Sequence, residues 1–363
     1  MSSTVAADLT PPPSGTVGRK PRGGNPLVRY IVVRFLLIFP TIFILVSIVF
    51  VVMRVIGDPI TAAMGGRLTP DQLAQRIHAA GYDRPIIVQY VEYIGQVFTG
   101  NFGTSITDGR PIITIIGTYG GATLELAIYA LIVALVVGIP LGMVAAYFRD
   151  RWPDAILRIL AILWYATPVF FVGLLLKLVF SVWLDILPVA GRASTRTELD
   201  LDALPHPTGI YLIDAFQLGD PNAIGDVLSH AVLPGLALGF LTAGIFLRLT
   251  RTNVIGTLSM DYVDAARSRG VSEYRLVRKH AFKPALIPVI TVIGLQIALL
   301  LGGAVLTETT FEWKGLGFEL AQYLGSRDFV AVQGIVALLA VIVAVTNFIV
   351  DIIAALIDPR VRY

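Results

Sequence analysis

The chain has no cysteine among its 363 residues, which excludes disulfide frameworks, thiolate metal sites and cysteine nucleophiles. Charge is the second scarcity. Asp, Glu, Lys and Arg make up 15% of the residues, against about 25% in a soluble globular domain. Hydrophobic residues make up 55%, the mean hydropathy is +0.76, and the charges are missing in blocks. Such blocks point to a lipid bilayer rather than to an oversized soluble core. The four histidines, His78, His206, His230 and His280, have no metal-ligand spacing among themselves. The dipeptide Gly-Lys does not occur, so there is no Gly-x4-Gly-Lys-Ser/Thr phosphate loop and the chain is not a nucleotide hydrolase of that type. The net charge of +3 would suggest nucleic acid in a soluble protein. In a membrane chain its distribution matters more than its sum, and no nucleic-acid partner is expected.

What is present is long and apolar. A hydrocarbon core of about 30 Å needs about 20 residues at 1.5 Å each. Six runs meet that need: Phe35–Met53, Thr123–Tyr147, Ala155–Phe180, Leu228–Arg248, Leu286–Val305 and Val332–Leu356. The third and fourth contain Pro168 and Pro234, which membrane helices tolerate when neighbours satisfy the freed carbonyls. The fold class is therefore an all-α polytopic membrane protein with six transmembrane helices. Residues 1–34 are polar, with Pro11-Pro12-Pro13 and several glycines, and read as a disordered tail. The membrane-embedded body is 35–363. Its first apolar run exceeds a signal-peptide core and lacks an obvious small-residue cleavage site, so it reads as a retained helix.

Lysine and arginine fix the expected orientation. With the amino terminus in the cytoplasm, 18 fall on the cytoplasmic side and 9 outside, although the outer segments are longer. Both termini are thus expected in the cytoplasm. The first outer segment, 54–122, is too long for a simple connection. It alternates turn signals, such as Gly81-Tyr82-Asp83-Arg84-Pro85, with an amphipathic stretch Ile86–Phe98, and a small folded cap is expected. A mobile excursion is the alternative.

Charges near membrane depth are few. Glu125 opens the second helix and Lys177 ends the third; at the outer boundary each can snorkel into the interface as an anchor. Asn347 and Asp351 share one face near the cytoplasmic end of the last helix, where Arg360 or a neighbouring subunit can pair with them. Glu308 ends the fifth helix after the small-residue run Gly302, Gly303, Ala304, which permits close helix contact.

The cytoplasmic segment 251–285 is the most informative. Ser259 or Asp261 can cap a short helix whose first turn is acidic. Gly270 ends it in a left-handed conformation, and Ser272 can cap a second helix. The result is an elbow that presents Ala265 and Ala266 outward, surrounded by Arg267, Arg269, Arg275, Arg278 and Lys279. Basic residues beside a membrane also serve as orientation signals or headgroup patches, and Asp-Ala-Ala alone does not separate these roles.

Asp264-Ala265-Ala266, three residues, then Gly270, between two membrane helices, resembles the "EAA" loop of ABC-importer permeases, with Asp in place of Glu. The surrounding sequence resembles the oligopeptide/dipeptide/nickel group, the first membrane subunit of its pair. Matching features run along the chain after residue 29: Gly57-Asp58-Pro59, Gly100-Asn101-Phe102-Gly103-Thr104-Ser105, Thr123-Leu124-Glu125, Thr208-Gly209-Ile210-Tyr211 through Asp214, Asp261-Tyr262-Val263, Ala285-Leu286-Ile287-Pro288, Glu308, Gly315-Leu316-Gly317, Arg327-Asp328 and Asp358-Pro359-Arg360. Lys314 replaces the family's usual proline, and Pro284 is additional.

The resemblance implies a type I ABC-importer permease fold in a bacterial inner membrane. It implies that Asp261, Asp264, Ala265, Ala266, Arg267 and Gly270 dock on an ATPase, and that the helix carrying Gly302, Gly303 and Glu308 follows the translocation path. Implied partners are a second homologous permease, two ATP-binding subunits and an extracytoplasmic substrate-binding protein. ATP and Mg belong to the ATPase subunits, and this chain binds no cofactor and catalyses no reaction. The cap and the acidic 181–227 loop, with Asp200, Asp202 and Asp214, are expected to receive the binding protein. The most fitting cargo is a di- or oligopeptide, nickel or another solute being the alternative within the family. A stand-alone carrier would need polar groups near the midplane and would leave the elbow unexplained. A membrane-embedded enzyme would need paired carboxylates or a histidine cluster at depth.

Overall fold

The computed structural model describes residues 26–66 and 68–357. Among them the chain is helical throughout, apart from loops and one isolated bridge between Thr104 and Pro111. The first helix, α1 (Pro26–Ile56), begins within the segment whose polarity suggested a disordered tail. In that stretch the Arg34 guanidinium lies 3.3 Å from Asp351. Residues 1–25, and Arg360 with the Asp358-Pro359-Arg360 motif, lie outside the described residues.

Among the described residues four helices are long and apolar enough to cross a bilayer: α1, α5 (Ile112–Tyr147), α10 (Pro221–Leu258) and α15 (Phe329–Ile357). Two bent pairs bring the number to six if each is one span. One is α6 (Trp152–Ala166) with α7 (Val169–Leu176) and its π-helical extension to Trp183. The run 155–180 is therefore no single rod. Thr167, the residue before Pro168, is extended because the proline ring clashes with a helical predecessor, and the two halves meet at 106°. The other pair belongs to α13 (Phe282–Phe311) and the turns before it, bent by 45° near Thr291.

The central pair is α5 on α10, and it is a small-residue contact. A Cβ at Gly138 would lie 2.6 Å from the Ala243 carbonyl, one at Gly142 2.7 Å from that of Leu247, and one at Gly239 2.7 Å from Val133. In lipid the hydrophobic effect does not drive helices together, so close backbone approach and dispersion do. Ala134, Ala243 and Phe246 fill the seam with Val289 of α13. Both helices outrun the hydrocarbon: α5 starts eleven residues before its apolar run, so the preceding segment ends at Pro111 rather than at residue 122.

That segment is folded. Asp58 caps α2 (Pro59–Met64), Thr69 and Gln72 form a reciprocal capping box on α3 (Pro70–Ala79), and α4 spans Ile86–Phe98, the amphipathic stretch read from sequence. The inner face of α4 packs on α1, with Tyr93 stacked on Phe50 and the Tyr90 hydroxyl 2.6 Å from Ser47 Oγ.

Candidate coupling elbow and the charged brackets

The elbow lies between the end of α10 and the start of α13. Its first helix is α11 (Asp261–Ser268). Neither Ser259 nor Asp261 caps it by a side chain: Met260 occupies the cap position, and Ser259 Oγ donates back to the Gly256 carbonyl instead. Asp261 and Asp264 do occupy the first turn, where the positive end of the helix dipole favours them. Gly270 has φ +80°, the left-handed conformation that reverses the chain. Ser272 precedes the short α12 (Glu273–Arg275) without a side-chain cap bond, and a π-helical turn, Leu276–Ala281, leads into α13.

Arg267 ties this elbow together from within. Its guanidinium pairs with Asp264 in its own helix and donates to Glu273 at 2.8 Å across the turn. The Glu273 hydrogen bond, with the Asp264 carboxylate beyond it, holds the Arg267 guanidinium above its ordinary range. Val263 and Leu276 are fully buried, and Val277, Ala281 and Ala285 pack on Ala146 and Val254. The elbow is thus anchored to α5 and α10. Its outward surface is Asp261, Asp264, Ala265 and Arg267, with the aromatic rings of Tyr262 (45% exposed) and Tyr274 (61% exposed). Ala266 is half-buried.

At the far end of α13 the sequence motifs meet one another as buried brackets. Glu125 is 2% exposed and does not snorkel. Arg192 lies 2.6 Å from it, and the Glu125 carboxylate also accepts from the Leu212 N–H and the Tyr129 hydroxyl, both at 2.9 Å. A carboxylate so fully ligated is stable without water, whereas an interfacial one would need it. Arg192 in turn donates to the Gly209 carbonyl and stacks 3.6 Å over the Tyr211 ring. Lys177 is likewise engaged, donating to the Thr310 carbonyl at 2.8 Å.

Glu308 belongs to a second bracket. It is fully buried, accepts from Thr123 Oγ1 at 2.7 Å and the Phe318 N–H at 2.9 Å, and Gly315 and Gly317 leave room for its carboxyl. The Trp313 indole closes the joint on the Ala122 carbonyl. In this structure Glu308 joins α13 to α5 and to α14 (Leu316–Gly325). Gly302 lies exposed on α13, and the surroundings of Gly303 lie outside what is described. Lys314, where the family pattern has proline, reaches Glu198 at 3.6 Å.

The acidic loop divides. Asp200 and Asp202 are exposed at the end of α8 (Thr195–Asp202). Asp214 is buried and accepts from the N–H groups of Thr208 and Gly209 and the Thr208 hydroxyl, so it holds the turn before α9 (Tyr211–Leu218) and cannot face a partner. A third bracket joins Asp328 to Ser105 Oγ and the Thr107 N–H, both at 2.8 Å. Beside it, burial pushes the Asp108 carboxyl up. The Arg110 N–H, the Ser105 and Tyr323 hydroxyls and the Arg110 guanidinium outweigh that and hold it well below the usual range.

Several of these partners escape a reading along the chain. Arg192 is one of two arginines among seven acids in its loop, a scarcity that could have marked it. Asp154, fully buried and held by Arg251 at 2.5 and 2.7 Å, carries no motif. Asp351 pairs with Arg34.

Residues 138–363 match the family described as "Binding-protein-dependent transport system inner membrane component", and residues 27–113 match its amino-terminal counterpart. The chain belongs to this family. It is a multi-pass membrane permease subunit, not an enzyme. Similar proteins include the probable D,D-dipeptide transport system permease protein of Escherichia coli (strain K12), 40% identical over 86% of this chain and 92% of that one. The di/tripeptide permease of Pseudomonas aeruginosa (strain UCBPP-PA14) is 38% identical over 93% and 99%. Another is the glutathione permease of Salmonella choleraesuis (strain SC-B67), 34% identical over 93% and 100%. Among solved structures, the inward-facing MetNI methionine ABC transporter superposes with a TM-score of 0.50 at 15% identity, covering 68% of this chain and 98% of that one; this likeness concerns the fold.

Proposed function

We propose that the chain forms half of the translocation pathway of an ATP-driven peptide importer in a bacterial inner membrane, with both termini cytoplasmic. The elbow at 260–275 receives a separate ATPase subunit, a related permease completes the pathway, and an extracytoplasmic binding protein delivers the cargo. The observation that carries this reading is the elbow itself. It is anchored on α5 and α10 and continuous through its π turn with α13, so a partner that moves it moves a membrane-spanning helix. ATP-driven closure of two such partners swings the helices between inward- and outward-open states. The relatives named for di- and tripeptides support the cargo class. Scarce charge along the spans suits substrates that share a backbone but vary in side chain.

Two measurements test it. A tagged chain should bring down a Walker-type ATPase, and uptake of labelled dipeptides in a deletion strain should return with the wild type. Ala266→Trp should leave the chain inserted and abolish both substrate-stimulated hydrolysis and uptake. Full uptake by that variant removes the docking role; purification without an ATPase removes the importer reading.

A further inference from the structure

Between α6 and α10, at the end of the bundle that carries the elbow, lies a groove of about 400 Å³. Its walls are apolar, with Ile162 and Ile245 on facing helices, and at its floor α10 passes so close to α6 that a Cβ at Gly244 would lie 2.8 Å from the Ala161 carbonyl. Three guanidiniums rim it: Arg158 from α6, Arg248 and Arg251 from one face of α10. Against these three charges stand Asp154 and, at the surface, Asp150, which is itself paired with Arg149. Asp154 is fully buried, gripped by both arms of Arg251, bonded to the Asp150 N–H, and 3.8 Å from Arg158. Its acceptor sites are filled. Arg248 is exposed and, among the described residues, its side chain has neither a hydrogen bond nor an ion pair.

Unbalanced positive charge at the mouth of an apolar slot selects an anion that carries its own apolar tail. The neighbouring surface says which. Trp152, Ile156, Ile159 and Leu163 are all exposed, 75%, 55%, 59% and 55%, at spacings of four, three and four residues along α6. That is an unbroken apolar stripe which a bilayer covers, and Trp152 at its head is the residue type that marks a membrane interface. We propose that this groove holds an anionic phospholipid, its phosphate on Arg158 and Arg248 and an acyl chain along Ile162 and Ile245. The elbow follows α10 within three residues of its end, so the lipid fixes the helix that carries the coupling surface.

A peptide carboxylate offers the same oxyanion chemistry, and the test separates the two. The full-length chain, with the subunits that copurify with it, is reconstituted in phosphatidylcholine nanodiscs with or without phosphatidylglycerol and examined by native mass spectrometry after release. Wild type should retain phosphatidylglycerol in preference to phosphatidylcholine. Arg158→Gln with Arg248→Gln should weaken that retention about fivefold for each guanidinium removed, and the corresponding double lysine variant should keep most of it. Arg251 stays untouched because it holds Asp154. Equal retention of the two lipids by wild type overturns the proposal and needs no variant to fold. Undiminished phosphatidylglycerol on the glutamine variant, or its displacement by a free dipeptide but not by an amidated one, overturns it as well.

Discussion

Gly270 and Glu125 show how differently single residues hold this chain. At Gly270 the constraint is the backbone: with φ +80°, any side chain meets a left-handed penalty of about 1–2 kcal/mol. Nothing lies within 4 Å of a Cβ there, so the penalty is conformational and not steric. Gly270→Val should therefore loosen the elbow without displacing its neighbours, seen as faster amide exchange across 261–276 with the melting temperature of the bundle little changed. At Glu125 the constraint is charge. Glu125→Leu leaves Arg192 buried at 5% exposure without its carboxylate, an expected loss of about 3–5 kcal/mol. Adding Arg192→Met removes the orphaned charge and should recover the larger part. Thermal unfolding of the two variants in detergent measures the difference, and a double variant no better than the single would refute the pairing.

At the scale of elements, the brackets explain why short motifs far apart in sequence occur together. Gly100–Ser105 and Arg327-Asp328 read as separate signatures along the chain, yet Ser105 and Asp328 share a hydrogen bond. Thr123, Glu308 and Gly315–Gly317 form one joint in the same way. Helices were legible because hydropathy and helical period are local: α4 has the bounds its amphipathicity indicates. The roles of the charges were not. A buried carboxylate and an interfacial one look alike in sequence, and what separates Glu125 and Glu308 from anchors is a partner 67 or 185 residues away. The Asp108 cluster gives a pH test of one bracket. A carboxyl held below its unfolded value, about 3.9, stabilises the fold at every pH above that value and loses the contribution only as pH falls through the lower folded one. Amide protection of 104–111 should thus be equal at pH 7 and pH 5, and Asp108→Asn should lower it at both.

For the whole molecule, orientation is the property on which the elbow's role depends. Ser194, Gln75 and Ser272 are all exposed, and the chain has no cysteine to confuse labelling. Single cysteines at Ser194 and Gln75 should react with an impermeant maleimide added to intact cells, and one at Ser272 only after permeabilisation. Labelling of Ser272 from outside would put the elbow beyond reach of any cytoplasmic ATPase.

The break at Thr167-Pro168 bears on how the protein is made. α6 has 15 residues, about 22 Å of helix, against a hydrocarbon thickness of about 30 Å. Emerging from the ribosome, it cannot bridge the bilayer alone, and the half that follows leaves its axis by 106°. The stretch from Trp152 to Trp183 is therefore expected to insert stably only with α5 and α10 beside it, α10 bringing Arg251 to Asp154. A chain ended after Trp183 should be extracted from membranes more readily than one ended after Leu258, so spans that a hydropathy plot shows as independent should insert cooperatively.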